Sequence, residues 1–114
     1  MPSHRIDRLN QDFKKELSSL IPALKDPRID SFLSVMRVDI TGDLSYAKVA
    51  IGSLNGSAKA KEACEVLEKA AGRLRSQLAG CLHIRKIPKL IFIPDDSAEY
   101  AERINMIIDG FNKQ

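Results

Sequence analysis

From Lys69 to Pro94 the chain contains no aspartate or glutamate, yet it carries Lys69, Arg73, Arg75, Arg85, Lys86 and Lys89, together with His83. Cations gathered in this way suit one chemistry above others, the neutralisation of phosphates. The next fifteen residues, Asp95 to Asp109, reverse the pattern with five acids against one arginine. Net charge is only +3, so the sorting of charge, rather than its sum, points to a polyanionic partner. Inside the basic stretch lies Ala70-Ala71-Gly72. Small residues in a long helix suit tight packing on a sheet. They also suit a kink at which a phosphate approaches helix N–H groups. Arg73 and Arg75, which follow at once, favour the kink.

Catalytic parts are missing. Asp95 and Asp96 could hold a metal, and a metal hydrolase on that pair is the one enzyme reading available. Two carboxylates also suit the positive end of a helix, and capping is the simpler account. His4 and His83 have no carboxylate or cysteine partner by spacing. No phosphate-binding glycine loop, dinucleotide fingerprint, zinc-protease or serine-hydrolase motif occurs. Cys64 and Cys81, 17 positions apart, match no zinc spacing. Cys64 falls on the apolar side of a predicted helix and reads as a buried free thiol. The expectation is a protein without enzymatic activity, cofactor or metal. Exposed aromatics for base stacking are scarce, and Tyr46 is the single candidate. Recognition is therefore expected through shape and phosphate contacts.

These residues need elements to hold them. Ile6, Leu9, Phe13, Leu17 and Leu20 step by three and four and predict a helix, with Ser3 as N-cap and an end before Pro22. Lys25-Asp26-Pro27-Arg28 is a turn, in which Arg28 can anchor to nearby acids. Phe32 to Ile40 is a strand, with Met36, Val38 and Ile40 on one side. Tyr46 to Ser53 is a second, with Ala47, Val49 and Ile51 on one side. Thr41-Gly42-Asp43 turns between them to give a hairpin. After Asn55-Gly56, Ser57 can cap a long helix whose apolar stripe runs from Ala60 to Leu78. Gly72 interrupts it and Gly80 closes it. Lys89 to Ile93 is a third strand. A last helix is capped by Asp95, Asp96 or Ser97, turns Ala101, Ile104, Ile107 and Ile108 inward, and ends at Gly110.

The predicted class is α+β: helix, strand, strand, kinked helix, strand, helix, with a three-stranded sheet and helices on one face. At 114 residues and 44% hydrophobic composition, one domain spanning 1–114 is expected. No apolar run is long enough to cross a membrane, and the charged N-terminus has no apolar signal core. The expected location is cytoplasmic and the expected state monomeric.

Five segments in register resemble the ribosome-binding factor A family of bacterial ribosome-assembly proteins. They are Arg5-Ile6-Asp7-Arg8-Leu9, Asp26-Pro27-Arg28-Ile29, Asp43-Leu44-Ser45-Tyr46-Ala47-Lys48-Val49, Ala70-Ala71-Gly72-Arg73-Leu74-Arg75 and Arg85-Lys86-Ile87-Pro88-Lys89-Leu90-Ile91-Phe92. The resemblance runs in order from about Arg5 to Ile108. The resemblance implies a type II KH fold in which an Ala-x-Gly kink replaces the usual GxxG loop. It also implies binding to free 30S subunits and 16S rRNA, a part in late maturation including 5′-end processing, and growth in the cold. Some members carry a basic C-terminal extension; none is expected here, where the sequence stops at Gln114.

The residues expected to touch rRNA are Arg5, Arg8, Lys48, Arg73, Arg75, Arg85, Lys86 and Lys89, with Ala70 and Gly72 setting the kink. Reversing the charge of both Arg73 and Arg75 is expected to abolish association without disturbing the fold. The competing expectation, from a different class, is a protein–protein adaptor that offers the same surface to an acidic partner.

Overall fold

The computed structural model describes residues 4–29 and 32–95. The expected last helix and the Ser3 cap lie outside these residues. Helix α1 spans His4–Leu20, and a 3-10 turn follows at Pro22–Leu24. Strands β1 (Leu33–Ile40) and β2 (Tyr46–Ser53) form the hairpin. Helices α2 (Ser57–Lys69) and α3 (Ala71–Leu82) precede β3 (Lys89–Pro94). The sheet order is β1-β2-β3, antiparallel between β1 and β2 and parallel between β2 and β3. The α+β class and the kinked helix pair are as expected.

One sheet face carries the core. Val35, Val38, Ile40, Ala47, Val49, Ile51, Leu90 and Phe92 pack against Phe13, Leu17, Cys64, Leu67, Leu74 and Leu78 of the helices. Phe13, Leu17, Leu67, Leu74 and Leu78 are completely buried. The hydrophobic effect therefore fixes all three helices on the same side of the sheet. Asn10 pins α1 to the sheet, because its Oδ1 accepts the Ile40 N–H at 2.9 Å.

The alternation expected in β1 slips at one residue. Val35 and Val38 are both buried and Met36 is exposed. The register jumps from Val35↔Ile51 to Arg37↔Ala50, which makes Met36 the extra residue of a β-bulge. The bulge throws Met36 onto the solvent face over Gly52, where a Cβ would lie 2.8 Å from Met36 Cγ. A side chain at position 52 would have to push the Met36 side chain aside.

In the hairpin turn the left-handed residue is Leu44, at φ 62. Asp43 organises the loop: its Oδ1 accepts the Thr41 hydroxyl at 2.8 Å and the Ser45 N–H at 3.1 Å. These bonds stabilise the carboxylate and pull its pKa from 3.8 down to about 2. Leu44 packs on the core, which offsets the cost of its backbone conformation.

Candidate nucleic-acid interface

The long helix of the sequence analysis is two helices. Ala70, at φ −94 and ψ 2, separates them. Its N–H still reaches Val66 O at 3.2 Å and Leu67 O at 3.1 Å, and the next ladder bond begins at Leu74 N–H to Ala70 O, 3.0 Å. The break thus falls two residues before Gly72. Gly72 is the second residue of α3, is exposed, and has nothing within 4 Å of a built Cβ. Among the described residues no packing demands glycine there. The consequence of the break is a fresh helix start, whose first N–H groups have no acceptor one turn back.

A groove of about 330 Å³ opens at this point, lined by Leu24, Asp26, Arg28, Val66, Lys69, Ala70 and Arg73. It joins the Asp26-Pro27-Arg28 turn to the helix break. Arg28 is anchored as expected: its Nε and Nη2 donate to the two Asp26 carboxylate oxygens at 3.1 and 2.9 Å, and its N–H donates to Oδ1 at 2.9 Å. These bonds hold the Asp26 carboxyl below its ordinary pKa, the side-chain bond from Arg28 first. With Asp26 committed to Arg28, Lys69 and Arg73 are left without an ion pair among the described residues. The groove therefore presents two uncompensated cations beside exposed helix N–H groups, an arrangement that suits a phosphate.

Arg75 has a different task. Its Nη2 donates to Ile87 O at 2.8 Å, tying α3 to the connection just before Pro88. That tie places the basic 85–89 segment beside α3, as the sequence reading required. Reversing Arg75 therefore removes a bond within the fold as well as a cation, so Arg73 is the cleaner position at which to test binding. Helical spacing already turns residues two apart to different sides, but which of the two makes a bond is decided by the tertiary contact to Ile87.

The remaining cations gather at the hairpin end of the sheet. Lys86 Nζ lies 3.5 Å from Ser45 Oγ. Lys89 is the parallel register partner of Tyr46, and Lys48 sits two residues further on the same face. Arg5 and Arg8 are exposed on α1 ahead of Asn10, which is bonded to the last residue of β1. Arg85 is exposed in the α3–β3 connection. The candidate residues thus fall into two groups, one at the break and one at the hairpin end, joined through the Arg75–Ile87 bond. Sequence reasoning missed the groove's dependence on Arg28 and Lys69; the only signal was the turn motif itself, which gives no hint of its neighbour 40 positions away.

A family model described as ribosome-binding factor A matches residues 5–108. The chain belongs to the ribosome-binding factor A family. The Treponema denticola ribosome-binding factor A is 42% identical over 109 residues, covering 94% of this chain and 81% of that protein. The Caldanaerobacter subterraneus protein of the same name is 37% identical, covering 97% and 92%. Among solved structures, the crystal structure of ribosome-binding factor A from Thermus thermophilus superposes with a TM-score of 0.70 at 30% identity, over 78% of this chain and 94% of that one. A homology model of the Thermus thermophilus ribosome binding factor A, fitted into the cryo-EM map of a 30S complex of that protein, gives a TM-score of 0.64 at 30% identity, over 76% and 91%. Ribosome-binding factor A is an assembly factor and not an enzyme, which agrees with the motif reading. Among the described residues no helix is long and apolar enough to cross a membrane.

Proposed function

We propose that this chain binds the free 30S subunit through 16S rRNA and assists its late maturation, including processing of the rRNA 5′ end. It binds non-covalently as a monomer, favours one arrangement of the immature rRNA, and leaves the mature particle. The observation that carries this reading is the helix break at Ala70, where Lys69 and Arg73 border a groove next to unbonded helix N–H groups. A family relative fitted into a 30S complex supports the choice of partner. Phosphate neutralisation supplies affinity, and the fixed fold supplies orientation. Arg5, Arg8, Lys48, Arg85, Lys86 and Lys89 add contacts along the hairpin end, while Arg75 holds the two groups in register.

The test is co-sedimentation with purified 30S subunits, followed by ultraviolet cross-linking and mapping of the linked nucleotides. Cross-links from the α2–α3 break to 16S rRNA are expected. Association that survives ribonuclease treatment, with no rRNA cross-link, would replace this reading with the adaptor one.

A further inference from the structure

Phosphate binding leaves one side chain at the hairpin end without a task. Tyr46 opens β2 and is 46% exposed on the sheet face turned away from the helices. Among the described residues its side chain makes no hydrogen bond. Lys89 stands beside it in the parallel register, at an inter-strand spacing of about 4.8 Å. Lys48 follows on the same face, about 7 Å along the strand, with Ile91 as its neighbour across the ladder. Lys86 approaches from the connection, at 3.5 Å from Ser45 Oγ.

The acids nearby are already matched. Asp39 is the register partner of Lys48, but it is held by Arg37 Nε at 2.9 Å. Asp43 accepts from Thr41 and Ser45 and faces Lys86. Lys48 and Lys89 remain without ion pairs among the described residues. An accessible aromatic ring beside Lys48 and Lys89, two lysines without ion pairs among the described residues, combines the two features that hold single-stranded nucleic acid: a stacking surface and cations for the flanking phosphates.

We infer that Tyr46, with Lys48, Lys86 and Lys89 around it, is a stacking subsite for one unpaired base of single-stranded RNA. This rests on the proposed rRNA binding and adds to it a second contact, on the opposite side of the sheet from the helices. It also revises the expectation that recognition proceeds without stacking. An acidic peptide would satisfy the lysines and leave the ring unused.

The chain has no tryptophan and two tyrosines, Tyr46 and Tyr100, so Tyr100→Phe leaves Tyr46 as the reporting fluorophore. Titration of this variant with an eight-nucleotide oligouridylate should quench its emission saturably. Fluorescence anisotropy with the same labelled oligonucleotide, in the otherwise unaltered chain, should show Tyr46→Ala binding roughly 10-fold more weakly and Tyr46→Phe binding nearly as well as tyrosine. Absence of quenching, equal affinity of Tyr46→Ala, or equal quenching by an octaglutamate peptide would each overturn the subsite. Binding of the unaltered chain to 30S subunits is measured alongside. Normal 30S binding with a silent Tyr46 defeats this inference alone, whereas failure to bind 30S defeats the reading beneath it.

Discussion

Replacing Gly72 by alanine separates what the fold needs from what a partner needs. The residue lies in the first turn of α3 with helical backbone, and a Cβ there would meet nothing within 4 Å. Alanine is a better helix former than glycine and restricts the unfolded chain more, so the exchange should stabilise by roughly 0.4–1 kcal/mol. In a domain of this size that raises the melting temperature by roughly 2–8 °C. Urea unfolding followed by circular dichroism measures it, and the midpoint should rise with an unchanged slope. If a phosphate approaches the α3 backbone at this point, the added methyl group stands in its way, and the more stable protein binds 30S subunits more weakly. A Gly72→Ala variant destabilised by more than about 1 kcal/mol would refute the reasoning, since it would show that the fold itself requires glycine at the break.

Further outcomes follow from single contacts. Glu68 Oε1 accepts the Phe92 N–H on the outer edge of β3 at 3.0 Å; Glu68→Ala should cost about 1–2 kcal/mol and speed hydrogen exchange at the Phe92 amide, while Glu68→Gln should keep most of that protection. Leu74 and Leu78 are fully buried, so alanine at either should cost roughly 2–5 kcal/mol in denaturant unfolding. The depressed Asp43 carboxyl contributes stability that is full above its ordinary 3.8 and is lost as pH falls towards about 2; an NMR titration should place its midpoint near the lower value, and Asp43→Asn should remove this part of the acid dependence. Burial pushes the Cys64 thiol up to about 11 while Cys81 is exposed, so a thiol reagent should modify Cys81 in the folded protein and reach Cys64 only on unfolding.

The sequence revealed most clearly what local periodicity controls. The α1 stripe is set by a 3.6-residue repeat, and its members Phe13 and Leu17 are completely buried. Alternation in β2 located the hairpin and its inward residues. Features decided by pairing between segments were not legible. The bulge at Met36 arises from the register of β1 on β2, and it shifts the inward position to Val35. The helix break falls at Ala70, an excellent helix former, because packing on the sheet overrides propensity. Gly80 lies inside α3, and the helix stops instead at His83, in the left-handed region at φ 51. Charge sorting marked the basic stretch, but the side chains divide its residues. Arg75 turns to Ile87 O, Arg73 faces the groove, and Lys86 and Lys89 join Tyr46. Such a division depends on tertiary contact, which charge spacing does not encode.

The proposed binding rests on the break at Ala70 taking phosphates of the small subunit's rRNA. Its direct test is the salt dependence of 30S binding for the unaltered chain and for Lys69→Ala with Arg73→Ala, two side chains that make no ion pair among the described residues. If each neutralises one phosphate, the double variant should bind more weakly at low salt, with a log–log slope shallower by roughly 1.4–1.8 and an unchanged unfolding midpoint. Equal affinity and equal slope in the two proteins would contradict the claim.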